Sequence, residues 1–335
     1  MGRRVILITI VASLAMLLAL AGGPAALAAT KRLPIKAGPD GVSRAPGAIT
    51  PKIVGGTAVP NGKYKFQAAL LAQSFGTNDF QRQYCGGSLI TPFEVLTAAH
   101  CVEFIGDAPD QLPLSDLRVV VGRTVLTSTQ GQKRRAAAID IHPRWNPDTF
   151  SFDAAVIHLA SPINGIAPVQ LVTPGVDALE RPGTLATVTG WGNTIQQPAG
   201  PGGGVNYPDR MREAKVPITS RAECQTVYTA AGAPIDDTML CAGRTNLDTC
   251  QGDSGGPLFF KAAGAGYIQA GITSWGIGCG ATGFPGVYTR LSNRGWGTSS
   301  SRQPGGTGDR RPGGLTLRPL APSPPAGWAP ARPRW

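Results

Sequence analysis

Between residues 53 and 293 apolar positions come in short runs broken by Gly, Pro, Asn and Asp. The runs are Phe66–Leu71, Gly87–Ile90, Leu117–Val121, Ala154–Leu159, Leu185–Thr189, Leu258–Phe260, Tyr267–Ser274 and Gly286–Leu291. Their length and β-branched content predict strands, and many short strands over about 240 residues predict an all-β barrel or sandwich. Helical spacing occurs only at Thr97–Val102 and near Ser220–Thr229, and no repeat of 20–50 residues stands out.

The ends have different patterns. Val5–Leu20 is an apolar stretch that follows Arg3 and Arg4 and is broken by Gly22, Gly23 and Pro24 before Ala26-Leu27-Ala28. A basic start, an apolar centre and an A-x-A site predict a secretory leader, 1–28, rather than a retained membrane anchor. Residues 29–52 are Pro-, Gly- and Lys/Arg-rich with no apolar period, which suits a pro-segment unable to fold alone. The segment 294–335 carries eight Gly, eight Pro and seven Arg. Pro at that density forbids a helix, so a disordered or partly polyproline-like tail is expected. It reads either as a basic arm for an acidic surface or as GC-rich DNA translated out of frame.

Charge changes the picture less than it first suggests. The chain nets +11, a balance that invites a nucleic-acid reading. However, 1–52 holds seven Lys/Arg against one Asp, and 294–335 seven Arg against one Asp. The body therefore nets −1, and no nucleic-acid partner is expected for it. Export implies an oxidising compartment, where Cys85, Cys101, Cys224, Cys241, Cys250 and Cys279 form disulfides. Parity alone leaves fifteen pairings open. The absence of any C-x-x-C argues against zinc, and no cofactor is expected.

Candidate chemistry concentrates at Asp248-Thr249-Cys250-Gln251-Gly252-Asp253-Ser254-Gly255-Gly256-Pro257. A serine among glycines can enter a tight turn and let other backbone approach, although an isolated S-G-G is more often a plain β-turn. A serine nucleophile needs a base. Of three histidines, His100 sits beside Cys101 in Thr97-Ala98-Ala99-His100-Cys101, while His142 and His158 read as structural. The base in turn needs an orienting carboxylate, and Asp153 leads directly into an apolar run.

These three motifs, in this order, resemble the trypsin/chymotrypsin family of serine proteases. Ile53-Val54-Gly55-Gly56 resembles the family's mature N-terminus, and Ser274-Trp275-Gly276 and Pro285-Gly286-Val287-Tyr288 resemble its substrate-cleft strands. The resemblance covers 53–291. It implies two six-stranded antiparallel β-barrels with the active site between them. It further implies Ser254 as nucleophile, His100 as base, Asp153 as its orienter, and the N–H groups of Gly252 and Ser254 as oxyanion donors. The pairings it implies are Cys85–Cys101, Cys224–Cys241 and Cys250–Cys279. An ordinary imidazole would let activity rise through mildly acidic pH.

By the same resemblance Asp248 forms the floor of the primary specificity pocket, lined by Ser274, Trp275, Gly276 and Gly286. An acid there implies protein or peptide substrates with Arg or Lys before the scissile bond. Cleavage between Lys52 and Ile53 would free an amine to pair with Asp253. The expected layout is thus a leader, a pro-segment 29–52, a protease domain 53–293 and a tail 294–335. The product would be secreted and monomeric, without a stable membrane anchor, and open to protein protease inhibitors. A non-catalytic binding protein on the same fold is the competing class. Gly122–Ala138, where some relatives hold calcium, has no acid, so no metal is expected there. The loop Gln196–Tyr207 reads as a flexible insertion and a self-cleavage site.

Overall fold

The computed structural model describes residues 53–295 apart from Ala263 and Ala265. The leader, the pro-segment with Lys52, and the tail beyond Gly295 lie outside the described residues.

Six strands close the first barrel. They are β2 (Gln67–Ala72), β3 (Gln83–Thr91), β4 (Glu94–Thr97), β5 (Leu117–Val121), β6 (Gln132–Ile141) and β7 (Ala155–Leu159), following a two-residue β1 (Thr57–Ala58). The order is β2-β3-β4-β7-β6-β5, every pair antiparallel and β5 returning to β2. Leu70, Leu89, Val95, Val119 and Ile157 are fully buried and fill it.

The second unit contains β8 (Gln170–Leu171), β9 (Leu185–Gly190), β10 (Arg212–Pro217), β11 (Met239–Ala242), β12 (Pro257–Lys261), β13 (Tyr267–Trp275) and β14 (Gly286–Arg290). They form one curled sheet ordered β1-β10-β9-β12-β13-β14-β11, with β8 added parallel to β13. The expected six-stranded barrel is recognisable as β10-β9-β12-β13-β14-β11, with β1 and β8 as additions. It lacks a full ladder at its seam. There β10 meets β11 through a single bridge, Ile218–Ala242, flanked by Thr219 N–H to Cys241 O at 2.9 Å and Gly243 N–H to Pro217 O at 2.9 Å.

All eight apolar runs are strands. The helix near Ser220 is α2 (Arg221–Ala230), capped by the Ser220 hydroxyl, which accepts from Glu223 N–H at 3.2 Å; a short α1 (Asp79–Arg82) precedes β3. The helical segment expected at Thr97–Val102 is shortened to a single 3₁₀ turn, Ala99–Cys101, that follows directly on the end of β4. Ladder pairing of Thr97 with Ala155 and its hydroxyl bond to Gly86 O at 2.8 Å hold the chain extended at Thr97.

An aromatic cluster and buried polar links join the two units. Tyr64, Phe66, Phe259 and Tyr267 meet mostly edge-to-face with centroids 5.1–6.2 Å apart. Ser88 Oγ donates to Gln269 Oε1 at 2.6 Å, and Thr189 Oγ1 to Gln67 Oε1 at 2.6 Å. These bonds fix the angle between the barrels and hence the cleft.

The 196–207 loop is more tethered than expected. Gln197 bridges to Cys279, and Asn193 and Asn206 lock its base. It also contains no Lys or Arg, so the same sequence that predicts a preference for basic residues gives this loop nothing to be cut at.

Candidate active site

His100 is delivered by the tight turn that ends β4, and the Cys85–Cys101 disulfide fastens that turn to β3. Asp153 arrives through an irregular loop. Phe150 and Phe152 adopt φ of 58° and 54°, sparsely populated for bulky side chains and costing about 1–3 kcal/mol each. Packing offsets the cost at Phe152: its ring stacks on the His142 ring at 4.7 Å, and the Arg144 guanidinium carbon lies 4.0 Å from the Phe152 ring centroid. Burial, with Arg144 adding, pushes His142 down to about 4, so it stays neutral and structural. His158 bonds Asp140 at 2.9 Å between the neighbouring strands β7 and β6.

The carboxylate of Asp153 is fully buried and well supplied with donors. It accepts from His100 N–H at 3.0 Å, pairs with His100 Nδ1 at 2.7 Å, and accepts a short bond from Ser274 Oγ. Thr289 Oγ1 donates to its backbone carbonyl at 2.6 Å. Burial alone would lower the imidazole pKa, but the facing carboxylate outweighs it and holds His100 above its ordinary value. Protonated His100 therefore persists to higher pH than an isolated imidazole would.

Ser254 sits on a turn closed by Asp253 N–H to Cys250 O and Gly256 N–H to Asp253 O, both 2.9 Å. The turn meets the first barrel at Gly86, whose N–H donates to Ser254 O at 2.7 Å, and at Gln83, whose amide donates to Gly252 O at 2.9 Å. Gly255, at φ 78°, explains the close approach: a Cβ there would lie 2.2 Å from Thr97 Oγ1 and 2.5 Å from Gly86 O. Glycine thus lets the serine turn lie against the residues that lead into His100. Among the described residues the N–H groups of Gly252 and Ser254 donate to no protein acceptor. The Asp153–His100 link is formed; no hydrogen bond joins Ser254 Oγ to the ring, a link that commonly tightens only with substrate bound.

Asp248 is 3% exposed and its carboxylate accepts from Thr249 N–H at 2.8 Å and Gly280 N–H at 3.0 Å. No cation faces it among the described residues. Burial pushes its pKa up to about 7, against the pull of those two bonds. Gly286 is obligatory beside it, since a Cβ would lie 2.3 Å from Asp248 Oδ1. Gly276 is less crowded: a Cβ there would meet Gly278 O at 3.5 Å and the Tyr228 hydroxyl at 3.8 Å, ordinary contact distances. Trp275 packs on Tyr228 at 5.0 Å, while Ser274 is turned to Asp153. Tyr228, whose hydroxyl donates to Pro285 O and whose ring meets Trp275, has no sequence signal of its own, because a helical tyrosine reads only as core.

Asp253 is 1% exposed and accepts from Gly192 N–H at 2.7 Å and Cys250 N–H at 3.0 Å. Gly190 and Gly192 wrap it so closely that a Cβ on either would lie within 2.4 Å. Ile53 is fully buried, and Val54 O accepts from Asp248 N–H at 3.2 Å, so the segment beginning at Ile53 is threaded beside the Asp248 loop. All three disulfides pair as the resemblance implies. In Gly122–Ala138, Arg123 and Lys133 reach Asp79 at 2.6 and 2.7 Å, so cationic side chains occupy the place where a hard metal would need carboxylates.

The sequence profile of the Trypsin family matches residues 53–296. The chain belongs to the trypsin family. It is similar to a trypsin of Saccharopolyspora erythraea, 37% identical over 71% of this chain and 93% of that protein. It is also similar to trypsin-1 of Astacus astacus, 35% identical over 72% and 95% respectively. The serine proteinase stubble of Drosophila melanogaster is 36% identical, and there the matched region spans only 30% of the relative. This trypsin-family chain is a serine endopeptidase, a hydrolase acting on protein substrates. No helix among the described residues is long and apolar enough to cross a membrane.

Proposed function

We propose that the protein cleaves peptide bonds after Arg or Lys, using Ser254, His100 and Asp153. The observation that carries the specificity is the Asp248 carboxylate, buried among glycines with two backbone donors and no cation. An incoming guanidinium or ammonium would supply that charge and relieve its desolvation, whereas a neutral side chain would leave it uncompensated.

In the reaction, Ser254 Oγ attacks the scissile carbonyl while His100 Nε2 takes its proton. Asp153 holds Nδ1–H and stabilises the imidazolium, and Ser274 and Thr289 hold Asp153. The two unengaged N–H groups, of Gly252 and Ser254, receive the oxyanion; losing one such donor typically costs about 10²–10³ in rate. The imidazolium then protonates the leaving amine, and water repeats the sequence on the acyl-enzyme.

Activation follows by cleavage between Lys52 and Ile53, the freed amine of Ile53 pairing with Asp253. The layout is a leader 1–28, a pro-segment 29–52, the protease domain 53–293 and a tail 294–335, in a secreted monomer subject to protein inhibitors. Because Lys52 suits the Asp248 slot, the precursor activates itself.

The Asp248→Ser variant tests the specificity: kcat/KM for Arg and Lys substrates should fall by about 10²-fold or more. Unchanged cleavage after Arg would remove the assignment. The Ser254→Ala precursor tests activation. Purified alone it should remain uncut at Lys52–Ile53, and spontaneous maturation would rule self-activation out.

A further inference from the structure

The second unit holds a cavity of about 400 Å³ that shares no residue with the candidate active site. Small-molecule sites commonly measure about 300–1,000 Å³, so it has room for a small ligand. It lies where β10 meets β11: Thr219 and Cys241, whose N–H···O bond of 2.9 Å helps close that seam, both line it.

The walls carry three kinds of chemistry. Ile235, Met239 and Leu240, all buried, form an apolar side. Glu180 supplies a carboxylate whose side chain is only 4% exposed. Its Oε2 accepts from Arg290 Nε at 2.6 Å, whereas its Oε1 is buried and accepts from nothing. A buried carboxylate oxygen without a donor is costly, and the terminal torsion of a glutamate is soft, so this oxygen can turn to a donor placed in the cavity. Arg181 is the third component, an exposed guanidinium with which no side chain pairs among the described residues. The helix α2 also starts on this cavity at Arg221, and the N–H groups of Arg221 and Ala222 donate to no protein acceptor. A free cation and a helix start both favour an anion.

These features discriminate between ligands. A plain anion would satisfy Arg181 and α2 but leave Glu180 Oε1 orphaned and face a second carboxylate, Asp177. A plain amine would satisfy Glu180 but face the guanidinium groups of Arg181, Arg221 and Arg290. A molecule carrying both charges answers both ends. We infer that the cavity binds an amino-acid zwitterion with an apolar side chain. Its ammonium donates to Glu180 Oε1, its carboxylate accepts from Arg181 and the first turn of α2, and its side chain lies on Ile235, Met239 and Leu240. Such an occupant touches both sides of the seam and braces it.

The test titrates the full chain with L-leucine, with N-acetyl-L-leucine, which lacks the ammonium, and with L-leucinamide, which lacks the carboxylate. Titration followed by nuclear magnetic resonance should give one leucine per chain, with a dissociation constant on the order of 1 mM. Hydrogen exchange at the Thr219 amide should slow at saturation. Each analogue should bind at least about tenfold more weakly, the loss expected for one charged hydrogen-bond partner. Glu180→Gln should lose as much, and so should Arg181→Ala, which alters an exposed side chain and leaves the core intact. The Asp248→Ser chain should bind leucine as wild type does. Loss of binding there would put the ligand in the specificity slot and overturn the inference without touching the proposed function. Equal binding of either analogue, full affinity in either cavity variant, or no saturable binding, the cavity then holding water alone, would each overturn it as well.

Discussion

At the scale of single residues, two buried carboxylates are set in opposite states by their surroundings. Asp153 is surrounded by donors that satisfy its charge, whereas Asp248 is buried with two donors and titrates near about 7. In the unfolded chain Asp248 would lose its proton near the ordinary aspartate value, so the fold retains a proton there as pH rises. Its charging therefore weakens the fold progressively between about pH 4 and 7, and a bound cation should reverse the effect. A small guanidinium ligand binds the charged form, so its affinity should climb up to tenfold per pH unit below about 7 and level off above it, with one proton released on binding. Calorimetry in buffers of different ionisation enthalpy measures that proton. Affinity independent of pH from 5 to 8 would show that Asp248 is already ionised or is not the contact. Ser254 and His100 stand out in the sequence as candidates because glycines and a cysteine mark their turns, whereas Asp248 is singled out only by the family resemblance. Phe150 and Phe152 are not, because nothing in a phenylalanine announces a positive φ.

At the scale of elements, β6 was invisible for a physical reason. Along Gln132–Ile141 even the inward-leaning positions include Gln132 and Arg134, so no apolar alternation exists to be read. What holds the adjoining loop is an ionic knot. Asp79 accepts Arg123 at 2.6 Å and Lys133 at 2.7 Å, and Arg123 also donates to Gln130 O and Leu126 O. Burial opposes the charge on Asp79, but these two cations together hold its pKa below the ordinary value, so the contribution persists at neutral pH and fades as pH falls below about 4. Replacing Asp79 with Asn leaves the nearly buried Arg123 short of a partner and should cost about 2 kcal/mol, roughly 4–8 °C in Tm. A chelator should leave the wild-type Tm unchanged. A chelator-induced fall comparable with that of Asp79→Asn would mean a metal, rather than Lys133 and Arg123, secures the loop.

At the scale of the whole molecule, barrel count was readable only through family resemblance, since strand lengths alone fit sandwiches equally well. The contacts that orient one barrel on the other, such as Ser88 to Gln269 and Thr189 to Gln67, pair residues more than a hundred positions apart and leave no local trace. The two barrels also differ in how they are closed. The first has a ladder at every junction, while the second meets itself at Ile218–Ala242 alone. Native-state hydrogen exchange should find the amides of Thr219 and Gly243 opening with a free energy at least about 2 kcal/mol below those of β2 and β5. Equal protection would mean the seam is as firm as a full ladder.

That clasp has a bearing on how the enzyme fails. The chain passes from Ala242 through Gly243 straight to the Asp248 loop, whereas His100 and Asp153 belong to the fully hooped half. With Asp248, His100 and Asp153 in the roles proposed above, gentle warming or dilute denaturant should blur the choice of substrate while the proton-transfer pair is still intact. On that reading selectivity is the more perishable of the two faculties.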